Sequence, residues 1–463
     1  MGKISFNKIG WIYRIRVTNR FFSVMMVIAF ASVLIDTSLS KVYCLSSCST
    51  APIQSIVTIL GLVFIYSIVQ RIILIFIRRR GENRKLESDL HIGAIYRAVE
   101  ISQYGLIALL SFIIYQIIFL SYYNTVLLML ITTISYAVAA ALLTILSHRF
   151  LSWFRLKRNH VVLLYGLSAL SIAINAVISI AFVDTSLLVR PQEVREYLVM
   201  SNLFIAQSSS LDMLNQAYVA SSIISFLATW LATAVLLLNY SKKLGMIRYW
   251  IIISLPVIYF LVQFIGFLLN IIAPLVNTDP VFYGTIVTLV FVMSKPAGGL
   301  LFGISFWIVA RSTTSSAVRS YMNIAAFGFL LLFTSNQAIV LVDVPYPPLG
   351  TVTVSYVNLS SYLILLGIYS CAISVAQDSS LRQSIRNIAI QKTKLLDSIG
   401  SAHMELALTR QALNLTKKFS DRMAEESGVQ SSLDEQDVKE YLNTVLNELN
   451  KSKKGIHDSG NKA

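Results

Sequence analysis

Residues 61–80 read GLVFIYSIVQRIILIFIRRR, an apolar run interrupted by a few polar side chains and closed by three consecutive arginines. Counted from residue 53 to residue 77 the run is long enough, as an α-helix rising about 1.5 Å per residue, to cross a hydrocarbon core about 30 Å thick. Arg78, Arg79 and Arg80 then mark where the chain meets water, on the cytoplasmic side if the usual bias of Lys and Arg holds. The rest of the chain repeats this unit. Comparable runs lie at about 21–38, 101–122, 125–147, 160–183, 217–240, 249–273, 281–310, 323–343 and 355–377. The expectation is an all-α, polytopic integral membrane bundle of about ten transmembrane helices.

Composition agrees. The 463 residues are 56% hydrophobic and 13% charged, whereas soluble domains are about 25% charged. A cytosolic enzyme, a disordered chain and a nucleic-acid-binding module are excluded on that ground. The formal charge of +15 is loop charge. With the N-terminus and every second loop placed inside, 33 Lys and Arg fall on the cytoplasmic side, and Lys41, Arg190 and Arg195 outside. Both termini are therefore expected in the cytoplasm, at the cell membrane, with anionic lipid headgroups as partners of the basic inner loops. Trp153, Trp250 and Trp307 near inner boundaries, and Tyr122, Tyr123, Tyr283 and Tyr346 near outer ones, fit interfacial belts.

The expected organisation follows from these runs. A basic segment (1–20) precedes a first five-helix half (21–183). An outer loop with short surface helices (184–216) leads to a second five-helix half (217–377). A cytoplasmic coiled-coil helix (378–426), a linker with a short amphipathic helix (427–449) and a disordered tail (450–463) follow. In the coil, Leu381, Ile385, Ile388, Leu395, Ile399, Leu406 and Leu413 take heptad seam spacings, which predicts a homodimer or a cytoplasmic protein partner. The coil is expected to continue unbroken from the last span.

Chemistry-bearing residues are few. Five His are scattered without metal-ligand spacing, and the phosphate-binding Gly-Lys-Ser/Thr loop and the nucleophile elbow are missing. No enzymatic activity, metal or cofactor is expected. Cys44 and Cys48 share the first outer loop, where a local disulfide is expected to compete with free thiols. Cys371 reads as a small packing residue. No Asp or Glu is expected deep in a span; Glu100, Asp184 and Asp343 read as span-edge residues.

Lys295 stands out, inside an apolar run and directly before Pro296, the expected kink. The next run carries Ser335, Asn336 and Gln337. Measured along ideal helices from Arg311 and Arg319, Lys295 and Asn336 lie about 24 and 25 Å from the shared inner loop. Two antiparallel neighbours would bring their polar groups to one height. Lys295, Ser335, Asn336 and Gln337 are therefore the candidate ligand-binding residues, against a purely structural lysine that satisfies the kink. Gln116, Asn175, Gln263 and Asn270 are expected in interhelical hydrogen bonds. The functional expectation is a membrane sensor or signal-transducing adaptor joining the polar site to the coil, with a transporter or channel as the rival.

Overall fold

The structure, a computed structural model, describes residues 19–43, 52–82, 90–120, 124–188, 209–238, 245–264, 282, 285–286, 288–313, 315–343, 348–377, 394–427 and 444. Within them the chain is all helical, without strands. The helices are α1 (Asn19–Tyr43), α2 (Pro52–Glu82), α3 (Leu90–Leu120), α4 (Thr125–Lys157), α5 (His160–Leu188), α6 (Ser209–Leu237), α7 (Met246–Val262), α8 (Ser294–Arg311), α9 (Ser316–Ser335), α10 (Ile339–Asp343), α11 (Thr351–Gln377) and α12 (Lys394–Ser427). One π-helical turn, Thr288–Val292, precedes α8.

Nine helical spans among the described residues are long and apolar enough to cross a membrane, so the chain is a multi-pass helical membrane protein. The sequence suggests ten. The difference lies at 249–273, where α7 has 17 residues, about 26 Å of helix, and residues 265–281 lie outside the described set. A described helix of that length falls short of the hydrocarbon thickness.

Lipid rather than water explains the outer faces. Phe64, Ile101 and Phe119 are 65%, 72% and 70% exposed, burials a soluble fold would not forgo. The centre is formed by α9 and α11, whose apolar windows are 83% buried against 33% for α3. Although it is the last span in sequence, α11 packs against α1, α2, α3, α4 and α9. Its approach to α9 is close because two positions lack a side chain. A Cβ on Gly328 would come within 2.8 Å of the Ile364 side chain, and one on Gly367 within 2.6 Å of the Ala325 nitrogen. Small residues are the ordinary device for bringing backbones together in lipid, where no hydrophobic force drives helices together.

The structure does not show a coiled coil. Instead α12 lies against α11, α4 and α5. Two expected seam residues, Leu395 and Ile399, are buried there in the chain's own core, together with Leu396 and Ala402. The same apolar stripe that would zip two copies is consumed within one chain over this stretch. Leu406 is partly buried against the core and Leu413 is half-buried. Leu381, Ile385 and Ile388, and with them the expected continuity of α11 into the coil, lie outside the described residues. So do Cys44, Cys48, Asn270, most of the outer loop at 184–216, and the short helix of 427–449 apart from Thr444.

Docking of α12 also revises the aromatic belt. Trp250 and Trp307 are 41% and 42% exposed, as interfacial residues should be, but Trp153 is buried. Its ring meets Phe150 edge-on at 5.5 Å and His403 of α12 at 6.4 Å. The salt bridge Lys157–Glu405, at 3.0 Å, and the Asn159 amide donating to Ser398 Oγ at 2.7 Å pin α12 to the end of the bundle that carries Arg149, Arg155 and Lys157.

Candidate functional site

In a bilayer the backbone groups at a helix end have no water to turn to, and interrupted helices are costly unless something satisfies them. The span predicted over 323–343 is interrupted. Helix α9 stops at Ser335, Asn336 caps it with its N–H donating to Leu332 O at 2.8 Å, and α10 restarts three residues later. Lys295 closes this gap. Its ammonium donates to the Asn336 carbonyl at 2.9 Å and lies 5.7 Å from the centroid of the Tyr218 ring on α6, within cation–π range. A cation at a helix C-terminus faces the negative end of the peptide dipoles.

The expected height match thus ends in a direct contact between Lys295 and Asn336, but the acceptor is main chain rather than side chain. Ser335 Oγ turns back to Leu332 O at 3.4 Å, and Gln337 Nε2 to Thr334 O at 3.1 Å; neither bonds the ammonium. Pro296 is also placed differently. Rather than kinking one long helix it stands in the first turn of α8, where a missing N–H costs little. The irregularity is moved upstream, to the π-helical turn and the bend at Met293.

A second tier of residues, read from the sequence only as interhelical hydrogen bonders, surrounds this contact. Asn336 Nδ2 donates to Asn175 Oδ1 at 3.0 Å, and Asn175 Nδ2 to Ser221 Oγ at 2.9 Å, linking α9, α5 and α6. Ser294 Oγ donates to Gln263 Oε1 at 3.4 Å. Asn336 Oδ1 and Gln263 Nε2 are buried and make no hydrogen bond among the described residues. Gln116 does something else: its Oε1 accepts from the Asn124 N–H at 3.1 Å, at the start of α4.

The sequence reading gives no role to Asp36, which lies near the end of the run at 21–38. It is 1% exposed and sits at the opposite kind of helix end. Its Oδ1 accepts from the Gly350 N–H at 2.9 Å; its Oδ2 accepts from the Thr353 N–H and from Thr353 Oγ1, both at 2.8 Å. Two orphan donors at the N-terminus of α11 are thereby satisfied, and the negative charge faces the positive end of the helix. The sequence did carry a sign of this. Ser32, Asp36, Thr37 and Ser40 fall on one face of α1 by helical spacing, and all four are buried.

One further polar contact joins α2 to α3, and another anchors α11 to α3. Tyr66 donates to Gln103 Oε1 at 2.7 Å, and Asn358 Nδ2 to Ser102 Oγ at 2.7 Å. Cys371 is a free, buried thiol. No group of His, Cys, Asp and Glu among the described residues could hold a metal ion. Set beside known proteins, the chain matches no family model, no curated protein and no solved structure.

Proposed function

We propose that this protein is a membrane sensor or signal-transducing adaptor with both termini in the cytoplasm, in which the polar junction around Lys295 and Asn336 is coupled to α12. The observation that carries the reading is continuity of close packing between the two. Helix α9 ends at the junction and meets α11 through Gly328 and Gly367; α11 in turn meets α12 where a Cβ on Gly400 would clash with a Val375 methyl. Packed interfaces of this closeness shift between discrete arrangements rather than deforming smoothly. A polar ligand that competes for the Asn336 carbonyl, or engages Asn336 Oδ1 and Gln263 Nε2, would bind one arrangement better than the other and bias the equilibrium. The readout is α12, whose Leu408, Leu415 and Phe419 are exposed and available to a second copy or to a cytoplasmic protein.

Hydrogen exchange of residues 394–427 in wild type and Lys295→Met tests this. Coupling predicts altered protection along α12 although the substitution lies in another helix, at the far end of α9. Unchanged protection there, with the junction itself perturbed, would sink the reading.

A transporter is the second reading, supported by the interrupted α9–α10 span and by the π-helical turn that precedes α8, since discontinuous helices commonly frame a substrate site. In that case solute flux in proteoliposomes survives removal of residues 378–463, whereas a sensor loses its output.

A further inference from the structure

The first part of α12 buries its apolar residues in the bundle, and the second part stands over a cavity of about 390 Å³, a size typical of small-ligand sites. One wall belongs to the membrane bundle: Arg149 of α4 and Tyr369 of α11. The other is a stripe of α12 in which His403, Arg410, Asn414 and Lys418 recur at helical spacing. Among the described residues no carboxylate lines it. Glu405, the acidic residue nearest in sequence to His403, is engaged by Lys157 outside the cavity. Arg149, Arg410 and Lys418 make no ion pair among the described residues.

Three cations line one cavity with no described carboxylate among them, and the helix laid over it is held down against their mutual repulsion. The guanidinium of Arg149 is set with its carbon 5.5 Å from the Tyr369 ring centroid, so the ring fixes its position while its N–H edges stay available. A planar fork, a second guanidinium, an ammonium and the Asn414 amide together supply donors on several sides of one space. That is the donor set of a phosphate site. Its position, at the basic end of the bundle where α4 meets α12, is where lipid headgroups lie in a protein threaded as described.

We propose that this cavity binds an anionic phosphate group, carried by a lipid headgroup or by a soluble phosphate compound, and that the bound phosphate bridges α12 to α4. The site is distinct from the Lys295 junction, and its occupancy stands or falls separately from the sensor reading.

The test uses the full chain in nanodiscs of neutral phosphatidylcholine, with phosphatidic acid added to the bilayer or inorganic phosphate added to the solution. Bound lipid is counted by native mass spectrometry, and protection of residues 403–418 is followed by hydrogen exchange. Wild type is expected to retain phosphatidic acid over phosphatidylcholine, with added protection of the stripe. The exposed pair Arg410→Ala/Lys418→Ala, which leaves the buried docking residues intact, should weaken retention at least about tenfold, as the loss of charged hydrogen bonds implies. Arg248→Ala, on a separate basic segment, should leave retention unchanged. Protection by inorganic phosphate in the neutral disc, lost in the same double variant, would identify a soluble ligand. Equal retention of both lipids without phosphate-dependent protection overturns the proposal. So does an equal loss in Arg248→Ala, which would reduce the effect to general surface charge.

Discussion

Asp36 and Lys295 solve the same problem with opposite charge and unequal completeness. Each is an ionisable side chain in an apolar helix, and each faces a helix end of the sign it needs, the N-terminus of α11 for the carboxylate and the C-terminus of α9 for the ammonium. The carboxylate is saturated by three donors from a single turn and is almost fully enclosed. The ammonium has one carbonyl and an aromatic face, and its neighbours Asn336 and Gln263 each keep one polar atom without a hydrogen bond among the described residues. A closed site of the first kind rigidifies; an incompletely satisfied one of the second kind has capacity for a further partner. The difference separates a fastener from a candidate sensor.

The comparison can be broken most directly at its closed member. Asp36→Ala leaves the Gly350 and Thr353 N–H groups buried without an acceptor and should cost roughly 3–5 kcal/mol, the scale of breaking a buried charged interaction. Thermal unfolding of the purified protein measures it through the exposure of the buried Cys371 thiol, in a background with Cys44 and Cys48 changed to Ser. A loss below about 1 kcal/mol would show that the carboxylate is not the fastener described.

Next in size is the seam that joins the two members. Gly367→Ala forces a Cβ onto the Ala325 backbone and should cost about 1–3 kcal/mol by overpacking. Gly61→Ala meets nothing within 4 Å and should be near neutral in the same assay. Equal effects at the two positions would remove the tight α9–α11 contact from the argument.

An effect of the same order is expected at the open member. Lys295→Met gives up one hydrogen bond to a charged donor and a ring contact, and should cost about 1–3 kcal/mol, less than Asp36→Ala. If the two substitutions cost the same, Lys295 is a fastener too, and the polar junction loses its claim to be a ligand site.

Much of this architecture is legible in residue order because lipid makes demands that soluble folds do not. The run at 53–77 ended by Arg78 has one physical reading, and the equal heights of Lys295 and Asn336 follow from helix rise alone. Periodicity also finds the apolar stripe on α12. It does not say which surface that stripe meets: Leu395 and Ile399 have heptad spacing and would serve a second copy or the chain's own bundle equally well. The bundle is tethered and so always present at high effective concentration, and it takes them. Spacing is likewise silent about Asn175 and Gln263, because their partners Ser221, Asn336 and Ser294 are brought near by tertiary packing. Asp36 was obscured for a different reason. Its donors are backbone N–H groups, which every residue but proline has, so no side-chain motif advertises them.

The sequence separation within the Asp36 cap has a consequence for how the protein is made. Gly350 and Thr353 lie 314 and 317 residues downstream of Asp36, so during translation the first helix enters the bilayer long before its acceptor finds a donor. The carboxylate is without these donors until α11 leaves the ribosome and inserts. Assembly then includes a late closure of α11 against α1, and nascent chains truncated before residue 350 should stay unsettled in the membrane and open to quality-control proteolysis.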